Sequence, residues 1–334
     1  MDPLLSVRDL KVEFDTRHGR VTALAGISLD VMPGETLGIV GESGCGKSIT
    51  ALAMMGLIPN PPGHLTGGEI RFAGEDITRA SPRRMRQLRG RDISMIFQEP
   101  MTSLNPVFTA GDQIAEAIML HQDVTKKEAW EEAVELLRVV GIPEPRRRAA
   151  SYPHEMSGGM RQRVMIAMAI SCRPKVLIAD EPTTALDVTV QAQIFDLMRD
   201  IQEKFGVAIV MITHDMGAIA EMADRVAVMY AGRVIEQGRA DDILDDPRHP
   251  YTSGLIGCIP ALGREAASTD RLPPLAEIPG VVPPLHLLGA GCALADRCPL
   301  VHDRCRRERP PLVPHGMSHG HAVACHAAER EIAA

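Results

Sequence analysis

The chain has no hydrophobic run long enough to cross a bilayer: its longest apolar stretches are of strand length, far below the ~20 residues that a spanning helix needs. Its opening residues, M-D-P-L-L-S-V-R-D-L, carry charge early and lack the apolar core of a secretory segment, which predicts a cytoplasmic protein. Positive charge is not in excess either. With 36 Lys and Arg against 43 Asp and Glu, the net charge is −7, which argues against a nucleic-acid surface. The arginine groups at 83–91 and 146–148 read instead as solvated faces. No internal repeat occurs, and no glycine fingerprint for a flavin or dinucleotide is present, which disfavours a redox enzyme. The length of 334 residues suits two units at roughly 150 residues each.

What is present begins with G-E-S-G-C-G-K-S. Gly41, Glu42, Ser43, Gly44, Cys45, Gly46, Lys47 and Ser48 fit G-x-x-x-x-G-K-[ST] at every fixed position. Thr36 to Val40 reads as a short buried strand and Ile49 to Leu57 as a helix, which is the context that the motif requires. Backbone N–H groups in such a turn point inward and meet the positive end of the helix, so triphosphate oxygens find donors without side chains in the way. The predicted ATP-contacting set runs from Gly41 to Ile49. Lys47 is expected to reach the β and γ phosphates and Ser48 to ligate Mg²⁺. Cys45 occupies a variable position and reads as a small packed residue.

Two further apolar runs end in polar residues. Val176 to Ala179 leads into Asp180 and Glu181, and Val207 to Ile212 leads into Thr213, His214 and Asp215. Ligands of open α/β sheets bind at the carboxyl ends of the strands. Beside a phosphate loop, Asp180 is expected in the Mg²⁺ shell, Glu181 as the group that orients and deprotonates the attacking water, and His214 near the γ-phosphate.

Together with M-S-G-G-M-R-Q-R at 156–163, these residues resemble the ATP-binding-cassette (ABC) ATPases. Ser157, Gly158 and Gly159 resemble that family's signature loop, Gln98 in M-I-F-Q-E-P its glutamine loop, Asp187 in T-A-L-D its dimer-contacting loop, and His214 its switch histidine. The resemblance covers about residues 4–239. It implies an α/β fold: a P-loop NTPase (RecA-like) core with an ABC-type antiparallel β subdomain and a helical subdomain. It also implies that Gln98 shares the Mg²⁺ site and that Phe14, in V-E-F, stacks on adenine, although a core phenylalanine is the competing reading. In the family two cassettes pack head to tail, so Ser157 to Gly159 of one chain close over ATP held by the other. The second cassette is a paralogue or a copy of the same chain. Met156 stands where the family commonly has Leu and keeps an apolar side chain of similar volume.

After Gln98 the pattern turns helical. Ile114 to Leu120 and Glu128 to Val140 carry apolar residues at helical spacing. Residues 99–155 look like the family's helical subdomain, with Glu99 to Pro106 helping to form a groove for a membrane permease. Val188 to Phe205 reads as one amphipathic helix. The expected division is a nucleotide-binding domain over 1–245 and a C-terminal extension over 246–334.

In the last ninety or so residues, proline and glycine rise and periodicity fades. Cys292, Cys298, Cys305 and Cys325 fall there, spaced C-x₅-C-x₆-C-x₁₉-C. In a reducing compartment such residues point to a metal rather than to disulfides. Soft thiolates suit iron–sulfur clusters or zinc, and five histidines between His302 and His326 keep a mixed zinc site open. H-P-Y-T, G-C-A-L-A-D-R-C-P and V-A-C-H resemble the extension of oligopeptide and dipeptide importer ATPases, some of which carry a 4Fe-4S cluster. That resemblance favours the cluster and predicts an irregular, Cys-rich extension. It implies an ATP-hydrolysing importer subunit for peptides or a similar solute such as nickel, peripheral on the cytoplasmic side of the inner membrane. The implied partners are two permease subunits and, indirectly, an extracytoplasmic solute-binding protein. A DNA-repair-type ABC ATPase is disfavoured, because only about sixty residues separate Gln98 from Ser157, too few for the long coiled coils of that class.

Overall fold

The computed structural model describes residues 2–17, 19–99, 103–184, 186–258, 277–315 and 320–328. Alternating burial builds the first sheet. β1 (Leu5–Thr16), β2 (Gly19–Val31), β4 (Gly63–Phe72) and β5 (Glu75–Asp76) form an antiparallel sheet in the order β2-β1-β4-β5. Leu5, Val7, Leu10, Val12, Leu24 and Ile27 supply its inner face.

The second sheet is made of short, continuous apolar runs, which suit strands covered on both faces. Five strands lie parallel in the order β9-β3-β8-β7-β6: β9 (Arg225–Tyr230), β3 (Thr36–Val40), β8 (Ala208–Thr213), β7 (Val176–Asp180) and β6 (Ile93–Ile96). β10 (Arg233–Arg239) then pairs antiparallel with β9. Residues 36–40, 176–180 and 208–213 are buried throughout, so the carboxyl ends of β3, β7 and β8 are brought to one edge.

Helix ends are set by local chemistry. α1 (Lys47–Met54) starts two residues earlier than the sequence pattern suggests and ends three earlier, at Met54 rather than Leu57. Its N-cap is Gly46 in a left-handed conformation, φ 107°, with no side chain capping the first turn. The free N–H groups of that turn are therefore open to an anion. α2 (Pro82–Leu88) begins at the capping residue Ser81. α3 (Ala110–His121) begins after Thr109, whose hydroxyl accepts from Asp112 N–H at 3.2 Å. α4 (Lys126–Val139) has a reciprocal capping box between Thr125 and Glu128. With α5 (Pro145–Ala149), these helices and α6 (Gly158–Ile170) enclose a core that includes Ile114, Ile118, Leu137 and Val164. The helical layer expected from the sequence is thus present. α7 (Val188–Phe205) has the expected bounds, from Asp187, which accepts from Val190 N–H at 2.9 Å, to a left-handed Gly206. α8 (Met216–Met222) and α9 (Ala240–Asp245) complete the central part.

Most described residues of the extension lie outside helix and strand, as expected, but it carries short regular pieces. It begins with α10 (Pro250–Gly257) and contains α11 (Asp303–Arg307) and two short strands, β11 (Val313–Pro314) and β12 (Ala322–Val323). β12 pairs with β10, so the extension lengthens the central sheet. The buried carboxylate of Glu236 joins the parts: it accepts from Arg248 N–H at 2.7 Å and His249 N–H at 3.0 Å, and lies 2.9 Å from His321 Nε2. Burial pushes His249 down to about 4. Its neutral ring accepts the Tyr251 N–H at 3.1 Å and caps α10. Among the described residues no helix is long and apolar enough to cross a membrane.

Candidate nucleotide site

The phosphate loop fills the turn between β3 and α1, as the sequence predicts. Gly41 must be glycine for space: a Cβ there would stand 2.3 Å from the Met229 carbonyl oxygen and 2.8 Å from Cys45 Sγ. At Gly46 the left-handed backbone adds to a 2.8 Å approach to Leu24. Lys47 is buried and donates to the carbonyls of Gly41, at 2.7 Å, and Glu42, at 3.1 Å. Cys45 belongs to the core behind the loop, with no exposed surface, and burial raises its thiol. Only its main chain is available to a ligand, in keeping with a small packed residue.

The carboxyl edge of the sheet brings the polar candidates together. Ser48 donates to Asp180 at 3.1 Å. Burial pushes the Asp180 carboxyl up, and Ser48 partly offsets this. Glu181 is the meeting point: Gln98 donates to Oε2 at 3.0 Å, Thr184 donates to the same oxygen at 2.8 Å, and His214 Nδ1 stands 3.2 Å from Oε1. The last bond requires the His214 proton on Nδ1. Burial works against the Glu181 charge, but Thr184, His214 and the nearby Lys47 outweigh it and hold the carboxyl below its usual range. Glu181 has φ 48°, a left-handed conformation uncommon for a non-glycine residue. Its N–H is fixed to the Ile212 carbonyl at 2.8 Å.

One open pocket is lined by Phe14, Ala23, Ser43, Gly44, Gly46, Lys47, Ser48, Ile49, Gln98, Glu181 and Leu285. Phe14 is half-buried in β1 at its edge. Ser157, Gly158, Gly159 and Asp187 do not line this pocket. Ser157 caps α6, accepting from Met160 N–H at 3.3 Å, and Met156 beside it is buried. Of the segment expected to face a permease, residues 100–102 lie outside the described residues, as does Ala185 of T-A-L-D. Thr184, as a partner of Glu181, and Leu285, from the extension, went unread in the sequence. Thr184 had a signal, since it lies three residues after Glu181; Leu285 had none.

All seven cysteines are free thiols. Cys292, Cys298, Cys305 and Cys325 line one small cavity together with Leu294, Leu300 and His326. Burial, reinforced by the neighbouring thiols, raises Cys292, Cys298 and Cys325. The donor set is soft and convergent, the chemistry that an iron–sulfur cluster takes. Among the described residues no group of three or more His, Cys, Asp or Glu could hold a single metal ion.

Comparison with known proteins agrees with this geometry. Residues 24–184 match the ABC transporter family, and residues 235–305 match the C-terminal region of oligopeptide/dipeptide transporters. The Probable peptide ABC transporter ATP-binding protein y4tR of Sinorhizobium fredii is 52% identical, over 97% of this chain and 95% of that protein. The dipeptide transport ATP-binding protein DppD of Bacillus subtilis is 50% identical, over 96% and 93%. The cassette MJ0796, solved as a dimer in a post-hydrolysis state with ADP and Pi, superposes with a TM-score of 0.64 at 25% identity, over 71% of this chain and 98% of that one. The chain belongs to the family of ATP-binding, ATP-hydrolysing subunits of ABC transporters, in its oligopeptide/dipeptide branch.

Proposed function

We propose that this chain powers the import of di- or oligopeptides by binding and hydrolysing ATP at the 41–49 loop. The observation that carries the reading is the convergence of Gln98, Thr184 and His214 on Glu181, at the rim of the pocket that holds Lys47 and Ser48. Loop N–H groups and Lys47 bind the β and γ phosphates. Ser48, Asp180 and Gln98 present oxygen donors, the ligand type that Mg²⁺ prefers, and the ion would neutralise charge on the phosphates. Glu181 accepts the proton of the water whose oxygen bonds to the γ-phosphorus as the bond from that phosphorus to the β-γ bridging oxygen breaks, and His214, its Nδ1–H released from Glu181 as the carboxylate takes that proton, donates a hydrogen bond to the developing charge.

Ser157, Gly158 and Gly159 would complete the ATP site of a second cassette, and Asp187 would contact that partner across the interface. The exposure of Ser157, Gly158 and Asp187, and their absence from the pocket of their own chain, support this reading. Closure and reopening of the pair would drive two permease subunits on the cytoplasmic side of the membrane, supplied by an external binding protein. Lys47→Ala is expected to abolish MgATP binding and, with the permeases reconstituted in vesicles, ATP-driven peptide uptake. Uptake at the wild-type rate would refute the reading.

Cys292, Cys298, Cys305 and Cys325 are the residues that would hold a 4Fe-4S cluster, acting as a structural staple of the extension. Their convergence on one cavity supports this. Protein purified without oxygen is expected to contain iron and sulfide and to absorb in the visible. Stoichiometric zinc without iron would contradict it.

A further inference from the structure

We propose that Arg297, in the C-terminal extension, is a positioning residue for the phosphate loop and, through Glu42, sets how tightly the loop holds ATP. The proposal rests on the reading of that loop as the ATP site. Arg297 and Glu42 are 255 residues apart in the chain, yet only 5% of the arginine side chain is exposed at their contact. Guanidinium carries five N–H donors in a rigid fork, and Arg297 makes five hydrogen bonds. Nη1 reaches Glu42 Oε2 at 2.7 Å and Nη2 reaches Oε1 at 2.9 Å, a bidentate pair. Nε donates to the Pro279 carbonyl at 2.8 Å, Nη2 to the Ile278 carbonyl at 3.3 Å and Nη1 to the Tyr230 hydroxyl at 3.3 Å. The fork is therefore held by the extension and by β9 before it meets the loop.

Glu42 is fixed at three points. Its N–H donates to the Tyr251 hydroxyl at 2.8 Å, its carboxylate takes Arg297, and its carbonyl accepts from Lys47 Nζ at 3.1 Å. One of the two residues that anchor Lys47 is thus itself anchored by two side chains of the extension. Charge gives Arg297 a second role. A carboxylate inside a triphosphate-binding loop repels the ligand, and the bidentate guanidinium cancels that charge. Without Arg297, a half-buried negative group stands unpaired beside the phosphates, the costly half of a broken ion pair.

Binding of MgATP to the full-length chain, measured by titration calorimetry, tests the role. Arg297→Ala should weaken binding about ten- to hundredfold, within the usual range of coupling between sites. Arg297→Lys, which keeps the charge but loses the fork, should fall between Arg297→Ala and wild type. Glu42→Gln/Arg297→Ala should recover most of the lost affinity, because the unpaired charge is gone; a merely structural arginine would not be rescued this way. If Arg297→Ala does not fold, Arg297→Lys and Glu42→Gln/Arg297→Lys carry the same comparison. Wild-type affinity in the single variants, or a double variant as weak as its single parent, would overturn the proposal. Lys47→Ala separates the two levels. Undiminished binding there defeats the site reading itself, whereas loss in Lys47→Ala without loss in the Arg297 variants defeats only the role of Arg297.

Discussion

At the scale of single residues, the site depends on backbone positions as much as on side chains. Gly41 has no room for a Cβ against Met229, and Glu181 holds a left-handed conformation that costs energy unless its surroundings enforce it. The bond from Glu181 N–H to Ile212 and the three side chains on its carboxylate are that enforcement. Phe14 is the residue whose role divides most sharply between packing and recognition, since it is half-buried yet lines the pocket. Phe14→Leu retains an apolar side chain but removes the aromatic face. Base stacking on such a face contributes ~1–3 kcal/mol, so ATP affinity should fall roughly tenfold while inorganic triphosphate binds as before. Competition binding with the two ligands measures this; equal effects on both would assign Phe14 to the core.

At the scale of elements, hydrophobic period and capping chemistry set most boundaries. Thr36 to Val40 and Val188 to Phe205 read from sequence with the bounds they have in the structure, because an all-apolar run and a capped amphipathic pattern are local signals. The start of α1 was less legible. Helix propensity points to Ile49, but the left-handed Gly46 turns the chain early enough to put Lys47 and Ser48 in the first turn. Caps also supply a test away from the site. Thr109→Ala removes the acceptor for Asp112 N–H at the start of α3 and should cost about 1 kcal/mol. In a chain of this size that lowers the melting temperature by about 1–2 °C. Calorimetric melting should show the shift, with MgATP affinity unchanged.

At the scale of the whole molecule, the phosphate loop is held from both ends of the chain. β2 and Phe14 approach it from the N-terminal sheet, and Tyr251, Leu285 and Arg297 approach it from the extension. The loop at 41–48 and the strand-end residues 180, 181 and 214 could be read from phosphate chemistry, which asks for certain residue types at a glycine-rich turn and at a sheet edge, whereas Gln98 and residues 157–159 were read from the family resemblance alone. The extension was legible as a resemblance but not in its structure, because its strands are two residues long and its contacts with the phosphate loop join positions more than two hundred residues apart. No period or local motif records such a contact. Nor could spacing show that four cysteines spread over C-x₅-C-x₆-C-x₁₉-C share a cavity; the fold of the extension around β12 does that.

The central claim is that Glu181 is the base of an ATP-hydrolysing site built on Lys47, and steady-state hydrolysis by Glu181→Gln tests it most directly. A catalytic base contributes about 10²–10⁴ in rate. The account predicts a fall of at least about 10²-fold in a variant that still binds MgATP and, bound to it, stays paired with a second cassette. Undiminished hydrolysis in the same variant would contradict the account.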